Sequence, residues 1–83
     1  MDVNEIGEVV ESFFLSDDFY HIPNFDIYVM DKNYIEYRVV DNSYEDIELF
    51  RDFEYRFNEH FRGQWMMTVS GNERRIDIAV ESY

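Results

Sequence analysis

The chain has 83 residues, 46% of them hydrophobic and 19% aromatic, and its net charge is −12. This length fits one domain, and the apolar content is too high for a disordered chain. Cysteine is absent, which excludes disulfides and thiolate metal sites. We therefore predict a single domain over residues 1–83, with a core built from large aromatic rings.

The N-terminal segment has the pattern of an amphipathic helix. Its apolar positions recur at the helical spacing and are Ile6, Val9, Val10, Phe13 and Phe14. Asp2 and Glu5 have the spacing of a capping box at the helix start. Asp17 and Asp18 would oppose the helix dipole, so we predict that the helix ends by about residue 15 or 16. Residues 19–24 then form a connection.

The hydrophobic period changes from 3.6 to 2 after this connection, which predicts strands. In residues 25–31, Phe25, Ile27 and Val29 are predicted to face the core, and they alternate with Asp26, Tyr28 and Met30. A polar turn at residues 31–33 leads into residues 34–40, whose predicted core positions are Ile35, Tyr37 and Val39. Two alternating runs joined by a short polar turn predict a β-hairpin.

Residues 43–63 predict the longest element, a helix with one apolar and one acidic face. The apolar stripe consists of Ile47, Phe50, Phe53, Phe57 and Phe61. Ser43 is placed to cap the first turn, and Gly63 is placed to adopt the left-handed conformation that ends a helix. The opposite face carries Glu45, Glu48, Asp52 and Glu59 around Tyr55.

A second hairpin closes the chain, with a predicted turn at residues 70–73. Its core positions are Trp65, Met67, Val69, Ile76, Ile78 and Val80. The element order α-β-β-α-β-β, with one apolar face on every element, predicts a two-layer α+β fold. We expect a four-stranded, mostly antiparallel sheet with both helices on one face. The pattern leaves the strand order open.

The outer face of this sheet is predicted to mix aromatic, methionine and charged residues. Its predicted members are Asp26, Tyr28, Met30, Tyr34, Glu36, Arg38, Met66, Thr68, Arg75 and Asp77. Two uses fit this mixture: a solvated face, or a contact with a second copy or a partner.

No arrangement of residues in the sequence has the spacing that catalysis or metal binding requires. His21 and His60 lack the partner spacing of a zinc site. A chain with 3 glycines has no Gly-rich phosphate loop, and none of its serines has a recognisable base beside it. We therefore predict no enzymatic activity, no cofactor and no metal.

The excess of acidic residues is the compositional outlier, with 19 Asp and Glu against 7 Lys and Arg. Such a charge repels nucleic acid and anionic membranes and attracts basic surfaces. Three explanations remain: solubility, adaptation to high salt, and recognition of a strongly basic partner. We expect a basic protein surface, of a nucleic-acid-binding protein or a nuclease, as the partner of a monomer or homodimer, with no direct binding to nucleic acid or membrane.

Eight acidic residues are predicted on the exposed sides of the helices or just beyond the end of the first: Glu8, Glu11, Asp17, Asp18, Glu45, Glu48, Asp52 and Glu59. With these acidic stripes, the short, cysteine-free α+β chain resembles the DNA-mimic inhibitors of phages and other mobile elements. That class includes several anti-CRISPR proteins, the uracil-DNA glycosylase inhibitor and anti-restriction proteins. The resemblance implies an inhibitor that acts in the host cell cytoplasm by occupying a nucleic-acid-binding surface.

The members of this class share no motif, so the candidate partner-binding residues come from the helix faces, and Tyr55 is added to the eight acidic residues. Two alternatives stay open. An immunity or antitoxin protein that neutralises a basic nuclease would use the same electrostatics. A small housekeeping module would dimerise through Tyr28, Met30 and Met66. The acidic N-terminus and the lack of a long apolar run predict a cytoplasmic protein.

Overall fold

The computed structural model describes residues 1–14, 25–40, 44–72 and 75–83. The predicted order of elements is confirmed, with helices α1 (Val3–Phe14) and α2 (Tyr44–His60) and strands β1 (Phe25–Asp31), β2 (Tyr34–Val40), β3 (Trp65–Asn72) and β4 (Arg75–Ser82). The predicted end of α1, the connection that follows it, and Asp17, Asp18, His21 and Ser43 lie outside the described residues.

The four strands form one antiparallel sheet in the order β1-β2-β4-β3. Each hairpin therefore contributes one central strand, β2 or β4, and one edge strand, β1 or β3. The two central strands pair with each other along their full length, from Tyr34 opposite Glu81 to Val40 opposite Arg75. This arrangement confirms the predicted α+β class.

Ile6 and Val10 of α1, aromatic side chains of α2 and the turn after it, and alternate residues of β2, β3 and β4 make up the core. The buried residues are Ile6, Val10, Ile35, Tyr37, Val39, Phe50, Phe53, Phe57, Phe61, Trp65, Met67, Val69, Ile76, Ile78 and Val80. The predicted inward faces of α2, β2, β3 and β4 are thereby confirmed. α2 packs mainly on β3, and α1 lies over β2.

The described helix ends follow the predicted signals. Asp2 Oδ1 accepts a hydrogen bond from the backbone N–H of Glu5 at 2.9 Å, as the capping pattern predicts. α2 ends at His60, slightly earlier than predicted, and the turn after it contains Gly63 with a φ of 80°. A positive φ costs glycine little because it has no Cβ.

Strand β1 departs from its predicted alternation. Its register with β2 shifts between Ile27 and Val29, so that Ile27 pairs with Tyr37 but Val29 pairs with Glu36. Directly paired residues of antiparallel strands lie on the same face of the sheet. Val29 is therefore on the outer face and Met30, opposite Ile35, is on the helix face, the reverse of the prediction. The cause is a β-bulge, whose extra residue inverts the period-2 pattern beyond it.

The second hairpin is longer than predicted. Residues 70–72 of the predicted turn at residues 70–73 instead continue the ladder with β4, in which Gly71 pairs with Ile76 and Asn72 pairs with Arg75. Residue 73 lies outside the described residues. Polar and glycine residues favour a turn in sequence, yet pairing with the central strand extends β3 through them.

The β3 edge of the sheet is covered by polar side chains of α2. Asn58 Nδ2 donates to the carbonyl of Met67 at 2.9 Å, and Asn58 Oδ1 accepts from the N–H of Met67 at 2.7 Å. Two residues further along, Glu54 accepts a hydrogen bond from the N–H of Val69. These side chains take the hydrogen bonds that a further strand would make, which protects the edge from such pairing.

Candidate partner-binding surfaces

The predicted acidic face of α2 is exposed, and we name Glu48, Asp52 and Glu59 the α2 acidic row. The helix geometry separates these three residues by roughly 6 and 10 Å along the axis. Tyr55 lies beside the row with 67% of its side chain exposed. Glu45 lies in the first turn of α2, and its side chain falls outside the described part of the chain.

One member of the α2 acidic row is already paired. Arg56 Nη2 lies 3.1 Å from Asp52 Oδ2, and both side chains are more than half exposed. An exposed i,i+4 pair contributes only about 0.3–0.5 kcal/mol to stability, so a stronger cation can displace it. Among the described residues no ion pair involves Glu48 or Glu59, so these two carboxylates are the available charges of the row.

On the outer sheet face, charged groups pair with one another. Asp77 lies between Arg38 at 3.1 Å and Arg75 at 3.2 Å. The guanidinium carbon of Arg38 stacks over the ring of Tyr28, 3.6 Å from its centroid. The hydroxyl of Tyr34 donates to Glu36 at 2.8 Å, and this bond raises the pKa of Tyr34. These polar groups therefore find partners within the sheet itself.

The surface predicted for the dimeric alternative is divided by the fold. Tyr28 contacts Arg38 on the outer face, whereas Met30 faces the helices and Met66 lies on β3, at the other edge. Because these three residues do not share a face of the sheet, they do not form one contact patch.

The two acidic groups of α1 and α2 do not form one surface either. Val9 of α1 faces α2, because it lines a cleft with Phe53 and Phe57. Glu8 and Glu11 point to the other side of α1, where they line a second cleft with β1 and β2. The sequence pattern does not show this separation, because it assigns the acidic residues to helix faces without placing the helices.

Charge is distributed unevenly along the chain, a signal that net charge alone conceals. The first 31 residues contain eight acidic residues and no lysine or arginine, and the first cation is Lys32. In the fold, this segment supplies α1 and the edge strand β1. Neither α1 nor β1 therefore contains a lysine or an arginine, although Arg38 of β2 lies opposite Asp26 of β1.

The cleft between the two helices has a volume of about 440 Å³ and is lined mainly by apolar side chains, with Arg56 and His60 among them. The His60 ring packs edge-on against Phe61, with centroids 4.7 Å apart. Within the described residues, no group of three or more His, Asp or Glu side chains is arranged to hold a metal ion. No described helix is both long enough and apolar enough to cross a bilayer.

A search of protein-family models, of curated proteins and of solved structures finds no match to this chain.

Proposed function

We propose that this chain is a non-enzymatic inhibitor that binds a basic surface of another protein and thereby blocks nucleic acid from that surface. The observation that carries the proposal is the segregation of charge. α1 has three acidic residues, Glu5, Glu8 and Glu11, and no lysine or arginine, whereas the arginines of β2 and β4 are already held by Asp77. A field of this sign draws a basic partner and repels nucleic acid.

The α2 acidic row supports the more specific part of the proposal, DNA mimicry. Its carboxylates are separated by roughly 6 and 10 Å, and a DNA strand advances about 3.4 Å per phosphate. The row therefore matches every second or third phosphate position along a basic groove. All three charges project from one helix of 17 residues.

The experiment begins with capture of partners by the immobilised chain, followed by purification of the captured protein. The dissociation constant is then measured at low and physiological salt, and in competition with duplex DNA. We expect binding to weaken steeply with salt and to be mutually exclusive with DNA. A partner that binds this chain and DNA simultaneously would contradict the mimicry, and a captured nuclease inhibited away from its DNA groove would favour the immunity alternative.

Two double variants test the α2 acidic row. Glu48→Gln with Asp52→Asn removes two charges from the row, and Glu36→Gln with Glu81→Gln removes two from the outer face of the central strands. We expect the first to weaken binding by roughly 1–3 kcal/mol if both carboxylates meet arginines in a desolvated groove, and by much less at a rim. Its melting temperature should barely change, since the repulsion it relieves and the Asp52–Arg56 pair it loses are each worth a few tenths of a kcal/mol. Equal weakening by both variants would mean that only net charge matters.

A further inference from the structure

A narrow cleft lies between α1 and the β1–β2 hairpin, and we name it the α1–β1 cleft. Its volume is about 190 Å³. Ile35 and Tyr37 of β2, both fully buried, form its floor, and Ile27 and Met30 of β1 form one wall. Glu8 and Glu11 of α1 stand on the opposite side. The cleft is therefore apolar at its base and acidic at its rim.

Two local features of the chain create this shape. The bulge in β1 brings Met30 to the helix face beside Ile27, where a regular strand would bring Val29. Gly7 lets α1 approach β2 closely, since a Cβ at this position would lie 3.3 Å from Ile35 Cδ1 and 3.6 Å from the Tyr37 hydroxyl. A glycine inside a helix costs about 1 kcal/mol relative to alanine, and the close approach of α1 to β2 accounts for its presence.

We propose that the α1–β1 cleft binds one arginine or lysine side chain of the basic partner. The aliphatic stem of that side chain lies against Ile27 and Met30, and its cationic head reaches the carboxylates of Glu8 and Glu11. This inference rests on the proposed function, because it names the residue type of the partner that the acidic α1–β1 side receives.

The size of the cleft fits one side chain. Pockets for small organic ligands have volumes of roughly 300–1,000 Å³, well above the 190 Å³ found here. Ile27 and Met30 are 47% and 48% exposed, so both retain apolar surface that a partner can cover. Long basic side chains bury their methylene stems on apolar surfaces while they keep the charge near water.

The acidic rim of the cleft favours a positively charged occupant. Among the described residues that line it there is no lysine or arginine, and the ionisable groups at its rim, Glu8 and Glu11, are acidic. At its floor, burial and the charge of Glu11 raise the pKa of Tyr37 to about 12, so the phenol stays neutral at physiological pH. The Tyr37 hydroxyl is turned toward the Gly7 carbonyl, at 3.5 Å. The negative charge is thus confined to the rim, where a partly solvated cation loses little hydration.

The test uses n-butylguanidinium, which carries the arginine head on an aliphatic stem. Titration is followed by NMR at the Gly7 amide, the Ile27 and Ile35 δ-methyl groups and the Met30 ε-methyl group. For eight non-hydrogen atoms we expect a dissociation constant on the order of 1–10 mM. Guanidinium without a stem and 1-butanol without a charge should each bind at least several-fold more weakly.

Two double variants show which carboxylates bind the cationic head of the probe. Glu8→Gln with Glu11→Gln should weaken n-butylguanidinium binding about fivefold or more, since it removes both rim charges and keeps the shape. The matched control, Glu48→Gln with Glu59→Gln, removes two charges from α2 and should leave the affinity unchanged. Melting curves of both variants establish that they remain folded.

Several outcomes would overturn the inference. One is the absence of saturable shifts at the cleft up to about 50 mM probe, well above the expected dissociation constant. Another is equal binding of 1-butanol, which would make the cleft a purely apolar pocket. A third is concentration-dependent dimerisation, measured by sedimentation and lost in Lys32→Ala, which would make a second copy the occupant.

The cleft and the proposed function can fail separately. If the purified partner binds in a salt-dependent manner with the same affinity for the Glu8/Glu11 variant, the cleft inference is wrong and the proposed function stands. If n-butylguanidinium binds in the cleft but the partner does not exclude DNA, the inhibitor proposal is wrong. In that case the cleft remains a site for basic side chains.

Discussion

The two edges of the sheet differ in how they are protected from pairing with another chain. At the β3 edge, Asn58 and Glu54 of α2 hydrogen-bond to the backbone of Met67 and Val69. At the β1 edge, four consecutive apolar side chains, Ile27 to Met30, are between 39% and 57% exposed. One edge is closed by hydrogen bonds, and the other leaves its apolar side chains accessible.

A bulge and charge protect the β1 edge instead. The register shift after Ile27 interrupts regular pairing, and Asp26 and Asp31 flank the apolar residues. Bulges and charged residues are recognised devices against strand addition at an edge. They leave the side chains of β1 free to contact a partner, whereas hydrogen bonds from α2 occupy the backbone of β3. The α2–β3 half thus closes its edge with hydrogen bonds to the backbone, whereas the α1–β1 half leaves its edge side chains exposed.

We expect the largest difference in unfolding free energy between truncation of a core side chain and truncation of an exposed side chain. Phe57 is 2% exposed and lies between Phe53 and Phe61, so Phe57→Ala should cost roughly 3–5 kcal/mol of unfolding free energy. Ile27→Ala on the β1 edge, and Tyr55→Ala on the solvent side of α2, should each cost under about 1 kcal/mol. Urea denaturation of the three variants measures this, and similar costs for Phe57→Ala and Tyr55→Ala would show that the helix phase is wrong.

Alkaline pH provides a second comparison through Tyr37, beneath α1. Its pKa is raised from 10.0 to about 12, with burial as the first cause, so the folded chain keeps a proton that the unfolded chain loses. This raised pKa contributes roughly 2–3 kcal/mol to the free energy of unfolding. The contribution is fully present below pH 10 and is lost as the pH rises from 10 to 12. Stability against urea should therefore fall more steeply with pH in the wild type than in Tyr37→Phe. Parallel profiles would contradict the raised pKa.

A smaller effect is expected at the β3 edge. Asn58→Ala leaves the N–H and carbonyl of Met67 without their side-chain partner, at a cost of roughly 1–2 kcal/mol because water replaces part of the lost bonding. Hydrogen exchange of the Met67 amide should accelerate, and self-association should increase as the edge opens. Ser70→Ala, on an exposed position of the same strand, is the control. Unchanged exchange at Met67 would show that Asn58 does not protect this edge.

Most of the fold was predictable because its patterns are local. The stripe from Phe50 to Phe61 specifies a helix and its buried side, and the alternation of Ile35, Tyr37 and Val39 specifies the inner face of β2. The bulge in β1 was not predictable, since Ile27, Tyr28, Val29 and Met30 are all apolar and fit either phase. The extension of β3 through Gly71 depends on pairing with Ile76 of the central strand β4, and the local pattern of polar and glycine residues does not show this pairing.

Some features of the candidate sites were likewise predictable from the sequence, and others were not. The exposure of Glu48, Asp52 and Glu59 follows from the helix period alone, and so does the position of Glu8 away from the core. The role of Glu54 does not follow from that period, because the sequence shows only another acidic residue and the hydrogen bond to Val69 requires α2 to lie along β3.

The sequence by itself determined the number and order of the elements, the buried side of most of them and the strongly acidic character of the surface. These properties depend on residue type and on spacing within one element. Only the tertiary structure decided the strand order, the inversion of Val29 and Met30, and the separation of Glu8 and Glu11 from the α2 acidic row. The physical reason is that an amphipathic pattern indicates which side of an element is buried, but not which element packs against that side. Packing between segments that are distant in sequence determines the neighbour.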